Sequence, residues 1–537
     1  MAPLKPATET EPEPEPPPSR GRVLRAATLV SLAFIVSRLL GFLRGAIILA
    51  IYGVDSLEVN AYEIASRFPD AIFFIIAGGA LGSAFIPIFS AFFVRDDEKG
   101  GWRLFSAVIN LITIVLVIIC GLAVLFTEEF LSLLYGPLMA SQPGLLEMTA
   151  SLMRVMLIST VIFGMSGVFM AALNARQHFL LPAIAPILYN LGIIAGTLLL
   201  APNIMGVAFG TVVGAASHML VQIPGLARQR AHYQLLLTVR DRSVIRVIRL
   251  MIPRVLGLSF SQLNHILIQI LGQTMLFGSI PALGNAWRVL MVPHGAIGQA
   301  LAIVAFPTFA MLAAQNALDQ MRRILTDTLR LILFLGIPAT ILLALLGRPL
   351  VSILFERGEF DAAATELVAW ALSFYALGLV ALAVIEVVSR AFYAMEDTWT
   401  PVLAGAAQIL FMGLLAYWLS FRLFADRGWP LLGGLALAVS VSSSLEAVGL
   451  LWLLRRKMGG VNGREIADGL WRMSVSGGGM AIVIWYLGQQ LQAAPALWQV
   501  LVGGLIGGAA YLGAGWLLRV AEVHQLAGYL LRRLRRG

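Results

Sequence analysis

Several arginines in this chain fall inside runs that are otherwise apolar. Arg38 and Arg44 lie in a run beginning near Ala26, Arg67 in one beginning near Asn60, and Arg288 in one beginning near Ala282. A guanidinium keeps its charge when desolvated and donates two parallel hydrogen bonds to a phosphate or carboxylate. An ionisable group near the centre of a bilayer costs at least about 2.5–3.5 kcal/mol on insertion scales, so it normally faces protein or water. Arg38, Arg44 and Arg288 are therefore candidates for one cationic cluster that takes a phosphate-bearing ligand. Glu63 and Arg67, spaced i, i+4, can pair beside them. The competing explanation for each is snorkelling toward headgroups or local ion pairing. Arg38 and Arg44 are separated by about 120° of helix azimuth, which suits a broad cavity better than a narrow stripe. Glu386 and Arg390 form a second i, i+4 pair, Glu446 sits in a further apolar run, and Arg254 reads as interfacial.

Other chemistry is poorly represented. There is 1 cysteine, Cys120, which excludes an internal disulfide and a thiolate metal cluster. The 6 histidines have no metal-ligand spacing, and no P-loop, HExxH or GxSxG occurs in a plausible context. No catalytic residue, metal or cofactor is expected, which leaves a membrane potential or an ion gradient as the driving force. A sodium ion needs hard oxygen ligands, and the run 252–276 carries no carboxylate.

The elements that must position the arginines follow from composition. Of 537 residues, 59% are hydrophobic and 12% are charged, about half the charge of a soluble domain. The excess apolar surface must face lipid. About fourteen runs are long enough to cross the hydrocarbon, starting near Ala26, Asn60, Leu104, Met148, Pro182, Met205, Ile252, Ala282, Ile324, Ala362, Pro401, Pro430, Trp471 and Leu497. The runs 60–93 and 282–315 exceed one span and predict tilted or broken helices containing Pro69 and Pro293. Connections after even-numbered spans are rich in Arg and Lys, among them Arg95, Lys99, Arg228, Arg322, Arg455 and Lys457. By the positive-inside rule both termini are cytoplasmic. The net charge of +9 follows from this topology and gives no indication of nucleic acid. Residues 1–21, rich in Pro and Glu, read as a disordered tail, and 519–537 as a basic amphipathic tail on the cytoplasmic leaflet.

The chain also repeats itself at an offset of about 220 residues, a signature of internal duplication. Ser37-Arg38-Leu39-Leu40-Gly41-Phe42 matches Pro253-Arg254-Val255-Leu256-Gly257-Leu258. Ala65-Ser66-Arg67 with Pro69 matches Ala286-Trp287-Arg288 with Pro293. Leu173-Asn174-Ala175-Arg176-Gln177 matches Phe392-Tyr393-Ala394-Met395-Glu396. A six-span repeat preserves orientation, so the expected fold is an all-α polytopic membrane protein with two parallel six-helix lobes, 22–232 and 233–460. Two additional helices follow in 461–518. Transporters of this kind place the substrate path between the lobes and rock one against the other.

The same residues resemble a known family. Ser37-Arg38-Leu39-Leu40-Gly41-Phe42-Leu43-Arg44, Phe68-Pro69-Asp70 with Gly79-Ala80, Leu181-Pro182-Ala183 with Asn190, Arg288 with Pro293, and Arg390-Ala391-Phe392-Tyr393-Ala394 with Asp397-Thr398 are similar to motifs of the MurJ (MviN) lipid II flippases. That family belongs to a larger group of multidrug and oligosaccharide-lipid exporters. The resemblance implies a V-shaped, two-lobed fold in a bacterial plasma membrane. It implies a cationic cavity for the pyrophosphate of the undecaprenyl-linked peptidoglycan precursor, and flipping to the outer leaflet by alternating access. It also implies a groove of the last two spans for the lipid tail. Arg38, Arg44 and Arg288 carry over as cavity arginines. The chain departs from the family pattern at Asn60, Phe73, Gly78, Met291 and Gly45, with Glu63 and Arg67 as the substitutes. Expected partners are lipid II or another undecaprenyl-pyrophosphate glycan, membrane lipids and proteins of cell-wall synthesis. Alternatives are a multidrug-type exporter, which predicts a carboxylate-dominated cavity, and a non-transporting scaffold.

Overall fold

The computed structural model describes residues 20–75, 81–238 and 240–526. The expected disordered tail through residue 19, the basic end 527–537, residues 76–80 and the side chains of Phe73 and Arg254 lie outside the described residues. The first half contains α1 (Arg20–Tyr52), α2 (Leu57–Ile75), α3 (Leu81–Val94), α4 (Glu98–Leu125), α5 (Thr127–Ser141), α6 (Leu145–Ala175), α7 (Leu180–Leu200), α8 (Met205–Leu220) and the short α9 (Ile223–Arg228). The second contains α10 (Arg242–Gly272), α11 (Ser279–His294), α12 (Ala300–Ala314), α13 (Leu318–Leu345), α14 (Gly347–Phe355), α15 (Ala362–Ala376), α16 (Leu379–Ala394), α17 (Trp399–Trp418) and α18 (Leu432–Lys457). The last two are α19 (Gly463–Gln490) and α20 (Ala496–Leu517). Helix is the expected answer in lipid, where each backbone polar group must be satisfied within its own segment. Among the described residues 9 helices are long and apolar enough to cross a membrane, and the bent pair α15 and α16 makes a tenth. The other expected spans fall on α1, on α2 with α3, on α10 and on α19.

Helix ends are set by local chemistry. The carboxylates of Asp97, Asp241 and Asp361 accept from the backbone N–H groups of Gly100, Ser243 and Ala364 at 2.8, 2.7 and 2.8 Å, capping α4, α10 and α15. The C-terminal ends carry the repeat. After α3 and α12 the chain turns on left-handed residues, Asp96 (φ 55°) and Asn316 (φ 53°). In both turns the next N–H reaches back, Asp97 to Phe92 and Ala317 to Leu312, each at 2.9 Å. After α6 and α16 the same turn falls on Gln177 (φ 58°) and Glu396 (φ 60°). These are six-to-one C-caps, each closing carbonyls that the helix leaves open. The matched phrases 173–177 and 392–396 therefore end in matched backbone turns.

The two over-long runs carry their prolines inside helices. Run 60–93 forms α2 and α3, with Pro69 and Pro87 inside them. Run 282–315 is continuous but passes through a π-helical turn, Gly295–Gln299, directly after Pro293 and His294. Proline removes a helical hydrogen bond and the chain absorbs the defect as one wider turn.

Among the described residues the largest apolar core joins the halves at the end where α1 stops and α2 begins. There Ile48, Leu49 and Val54 pack in the same cluster as Ile280, Phe355 and Phe360. The Glu359 N–H donates to the Ala50 carbonyl at 3.0 Å, and the Phe42 and Phe355 rings lie 5.1 Å apart. Gly358, at φ 61°, lets the chain lie against the Ala50 carbonyl where a Cβ would collide. At the opposite ends the cores are separate. Phe85, Phe89 and Trp102 pack within the first half, joined from the second by the first turns of α10, with Val244, Val247, Ile248 and Met251. Phe309, Leu325 and Phe392 pack within the second. The halves therefore part toward the ends that carry the basic connections.

Candidate functional site

Where the halves part, a cavity of about 390 Å³ opens between them. One wall is a stripe of α2: Glu63, Arg67, Asp70 and Phe74, flanked by Tyr62 and Ser66. Spacings of four, three and four residues place that stripe on one helical face. Arg44 of α1 closes this side. Gln262, His265 and Gln269 of α10 form the facing wall with Trp287 and Arg288 of α11 and Tyr375 of α15.

The charges are arranged unequally. Arg288 Nη2 lies 2.5 Å from Glu63 Oε1, with the Glu63 side chain 4% exposed and that of Arg288 38% exposed. Arg288 Nη1 also donates to Asn285 Oδ1 at 2.8 Å. The Glu63 backbone is held as well, its carbonyl accepting from Gln269 Nε2 at 3.1 Å. Gln269 Oε1 in turn accepts from the Tyr135 hydroxyl at 2.8 Å. Glu63, on the first half, is thus held at its carbonyl and at its carboxylate by two residues of the second, and its carboxylate orients Arg288. Arg44 sits 5.8 Å from the centroid of the Tyr189 ring. The Nε atoms of Arg44 and Arg67 are buried without a hydrogen-bond partner. Buried donors in that condition are costly and mark a place where a ligand or water completes the bonding. Three guanidinium groups face two carboxylates, Glu63 and Asp70, so the lining favours an anion. Trp287 stands edge-on between His265 and Tyr375, at 5.5 and 5.4 Å, and stiffens the wall.

Of the residues singled out from sequence, Arg44, Glu63, Arg67 and Arg288 come together on this cavity. Arg38 does not line it. Its Nη2 donates to Gln299 Oε1 at 3.3 Å, and its guanidinium fills the space beside Gly295. Six residues of helix carry it roughly 9 Å along α1 from Arg44. Asn60 is buried away from the cavity, its Nδ2 donating to the Ser56 carbonyl at 2.8 Å in the first turn of α2. The expected Glu63–Arg67 pair is absent among the described residues, because Glu63 has turned to Arg288. The Glu386–Arg390 pair forms at 3.5 Å, outside this cavity. Tyr62, Ser66, Asp70, Gln262, His265, Gln269, Trp287 and Tyr375 were not singled out as site residues. Their signal is polar and aromatic side chains at helical spacing on α2 and α10. Among the described residues no group of three or more His, Cys, Asp or Glu side chains can hold a metal ion.

A family model described as Lipid II flippase MurJ matches residues 49–502. A protein of Burkholderia cenocepacia named lipid II flippase MurJ is 27% identical, covering 81% of this chain and 84% of its own. A probable lipid II flippase MurJ of Buchnera aphidicola is 26% identical over 80% of this chain and 82% of its own. Among solved structures, a lipid II flippase MurJ in an inward closed conformation superposes with a TM-score of 0.75 at 23% identity, covering 92% of this chain and 99% of that one. An inward-facing multidrug resistance transporter of the MATE family matches at TM-score 0.68 and 13% identity, covering 81% of this chain and 98% of that one.

Proposed function

Because this chain belongs to the family of the lipid II flippase MurJ, we propose that it carries lipid II from the cytoplasmic to the outer leaflet by alternating access. It is a transporter and not an enzyme, a multi-pass protein of the bacterial inner membrane. The lobes of the cycle are 22–232 and 233–460, with 461–518 as an addition, and both termini are cytoplasmic.

The observation that carries this reading is the pair of buried, unpartnered guanidinium Nε atoms, Arg44 and Arg67, on a cavity whose third arginine is tethered by Glu63. A pyrophosphate entering from the cytoplasmic gap meets two open donors first. Its negative charge then competes with Glu63 for Arg288. Since that ion pair joins the two halves, weakening it loosens the contact beside the outer seal. The ligand thereby favours the state with the outer end open through its different affinity for the two states. The polyprenyl tail stays in lipid beside α13, α19 and α20, which share a core of their own. A cation exporter would need carboxylates in excess, and the lining has the opposite balance.

The test is transport of labelled lipid II in proteoliposomes. Replacing Arg44, Arg67 and Arg288 with glutamine should reduce flipping by at least about tenfold each, equivalent to ~1.4 kcal/mol of lost differential binding. Unchanged flipping in all three variants would remove the basis of the reading.

A further inference from the structure

The second half holds titratable side chains that the cavity does not use. His294, the last residue of α11, is buried, with its Nε2 3.9 Å from Oε1 of Glu386 on α16. The other carboxylate oxygen, Oε2, takes Arg390 Nη2 at 3.5 Å. Both contacts are long for charge-assisted bonds. Two atoms of the cluster, His294 Nδ1 and Arg390 Nε, are buried without any partner. An imidazole nitrogen with no donor facing it is an open proton acceptor.

Its place in the fold gives that acceptor a consequence. The π-helical turn Gly295–Gln299 begins at the next residue. The His294 Cε1 atom lies 3.1 Å from where a Cβ on Gly298 would stand. From the other half, Arg38 fills the space at Gly295 and donates to Gln299. Imidazole and guanidinium therefore bear on the same turn, and such widened turns adjust more readily than regular helix.

We propose that His294 is a proton-binding site that controls the Arg38 contact across the gap. One proton moves from water in the gap to Nδ1, giving an imidazolium paired with Glu386. A new positive charge then stands one residue from the glycine that Arg38 covers. Like charges at this range repel, so the protonated form favours withdrawal of Arg38 and a wider gap. Return of the proton to water restores the contact. The remaining groups facing the cluster are few. Tyr393 lies on α16, and Glu446 lies on α18. Segments Ala300–Ala314 and Trp399–Trp418 carry no charged residue. On α13, Arg330 is turned to Glu522 and Arg322 to Asp319, while Arg323 and Asp327 are exposed. The use of this site in transport rests on the flippase reading; the linkage of proton to gap does not.

The test measures the gap directly. Spin labels are placed at the exposed ends of α3 and α12, as Val94→Cys and Ala314→Cys in a Cys120→Ala background, with the full chain in nanodiscs. Lowering the pH from about 8 to about 5 spans the range in which imidazoles change charge, and should raise the long-distance population at least about threefold. His294→Asn and His294→Gln should hold one distribution throughout, and Glu386→Gln should blunt the response. Glu446→Gln should leave it intact. A pH-insensitive unmutated chain, a full response in both His294 variants, or a response lost in Glu446→Gln would each overturn the proposal. Lipid II transport on the same samples separates the two claims. Transport without a pH response ends only the proton site, and a pH response without transport ends only the flippase reading.

Discussion

Glu63 of α2 and Arg288 of α11 meet at 2.5 Å across the gap between the two halves, 225 residues apart in the chain. The carboxylate is buried and the guanidinium still reaches the cavity, so one ion pair both joins the halves and presents a cation to a ligand. Removing Glu63 alone strands a desolvated guanidinium, whereas removing both partners does not. Glu63→Ala should therefore lower stability by roughly 1–2 kcal/mol, less than for a fully buried pair because Arg288 is partly wetted. The double variant Glu63→Ala/Arg288→Ala should recover part of that loss. Thermal unfolding of the four proteins of this cycle in detergent is the check, and simple additivity would contradict the coupling.

At the outer end, Gly358 should be intolerant of a side chain. Its φ of 61° and the Ala50 carbonyl against it leave no room for a Cβ. Gly358→Ala should strain the seal and shift the population toward an open outer end. A membrane-impermeant maleimide applied from outside should then label Tyr62→Cys, in a Cys120→Ala background, several times faster than with Gly358 present. Equal labelling would mean that the seal does not depend on this approach.

Outside the spans, Asp397 precedes α17 and accepts from the Thr400 N–H at 3.0 Å and the Thr400 hydroxyl at 2.9 Å. Lys457 Nζ lies 2.6 Å from the same carboxylate. Burial pushes its pKa up, but Lys457 and the two Thr400 donors outweigh this and hold it below the usual carboxylate value. A lowered folded-state pKa contributes stability that is present above the ordinary carboxylate value and is lost as pH falls through the lowered one. Asp397→Asn should therefore unfold at a lower temperature than the unmutated chain at pH 7. The gap between the two should close as the solution is acidified below about pH 4, the unperturbed carboxylate value. A gap that persists in acid would assign the loss to packing instead.

Much of the site was legible because charge in hydrocarbon must be compensated. That requirement alone singled out Arg44, Glu63, Arg67 and Arg288. It did not supply the partner of Glu63, since Arg67 is near in sequence and Arg288 is brought near only by tertiary packing. Arg38 satisfied the same requirement by a different route, against Gly295 of the π turn and the Gln299 side chain, which no local pattern announces. The uncharged lining on α10, Gln262, His265 and Gln269, follows helical spacing. Amides and rings at such spacing serve equally as contacts between helices, so the pattern by itself did not distinguish lining from packing. For the fold, hydropathy locates the helices, and the matched phrases 173–177 and 392–396 end in matched caps at Gln177 and Glu396. The length of run 282–315 and its Pro293 signal a tilted or broken helix but not the form of the break, because one extra residue in a turn leaves an apolar run looking unbroken.

Recognition of the substrate's phosphates depends on the open guanidinium donors of Arg44 and Arg67. Its most direct measurement is the affinity of purified chain for lipid II, compared with the same lipid carrying no phosphate, for the unmutated protein and for Arg44→Gln/Arg67→Gln. The expected result is a strong preference for the phosphorylated lipid that falls by about a hundredfold in the double variant, ~2.7 kcal/mol. Equal affinity for both lipids, or a preference unchanged by the double substitution, would contradict it.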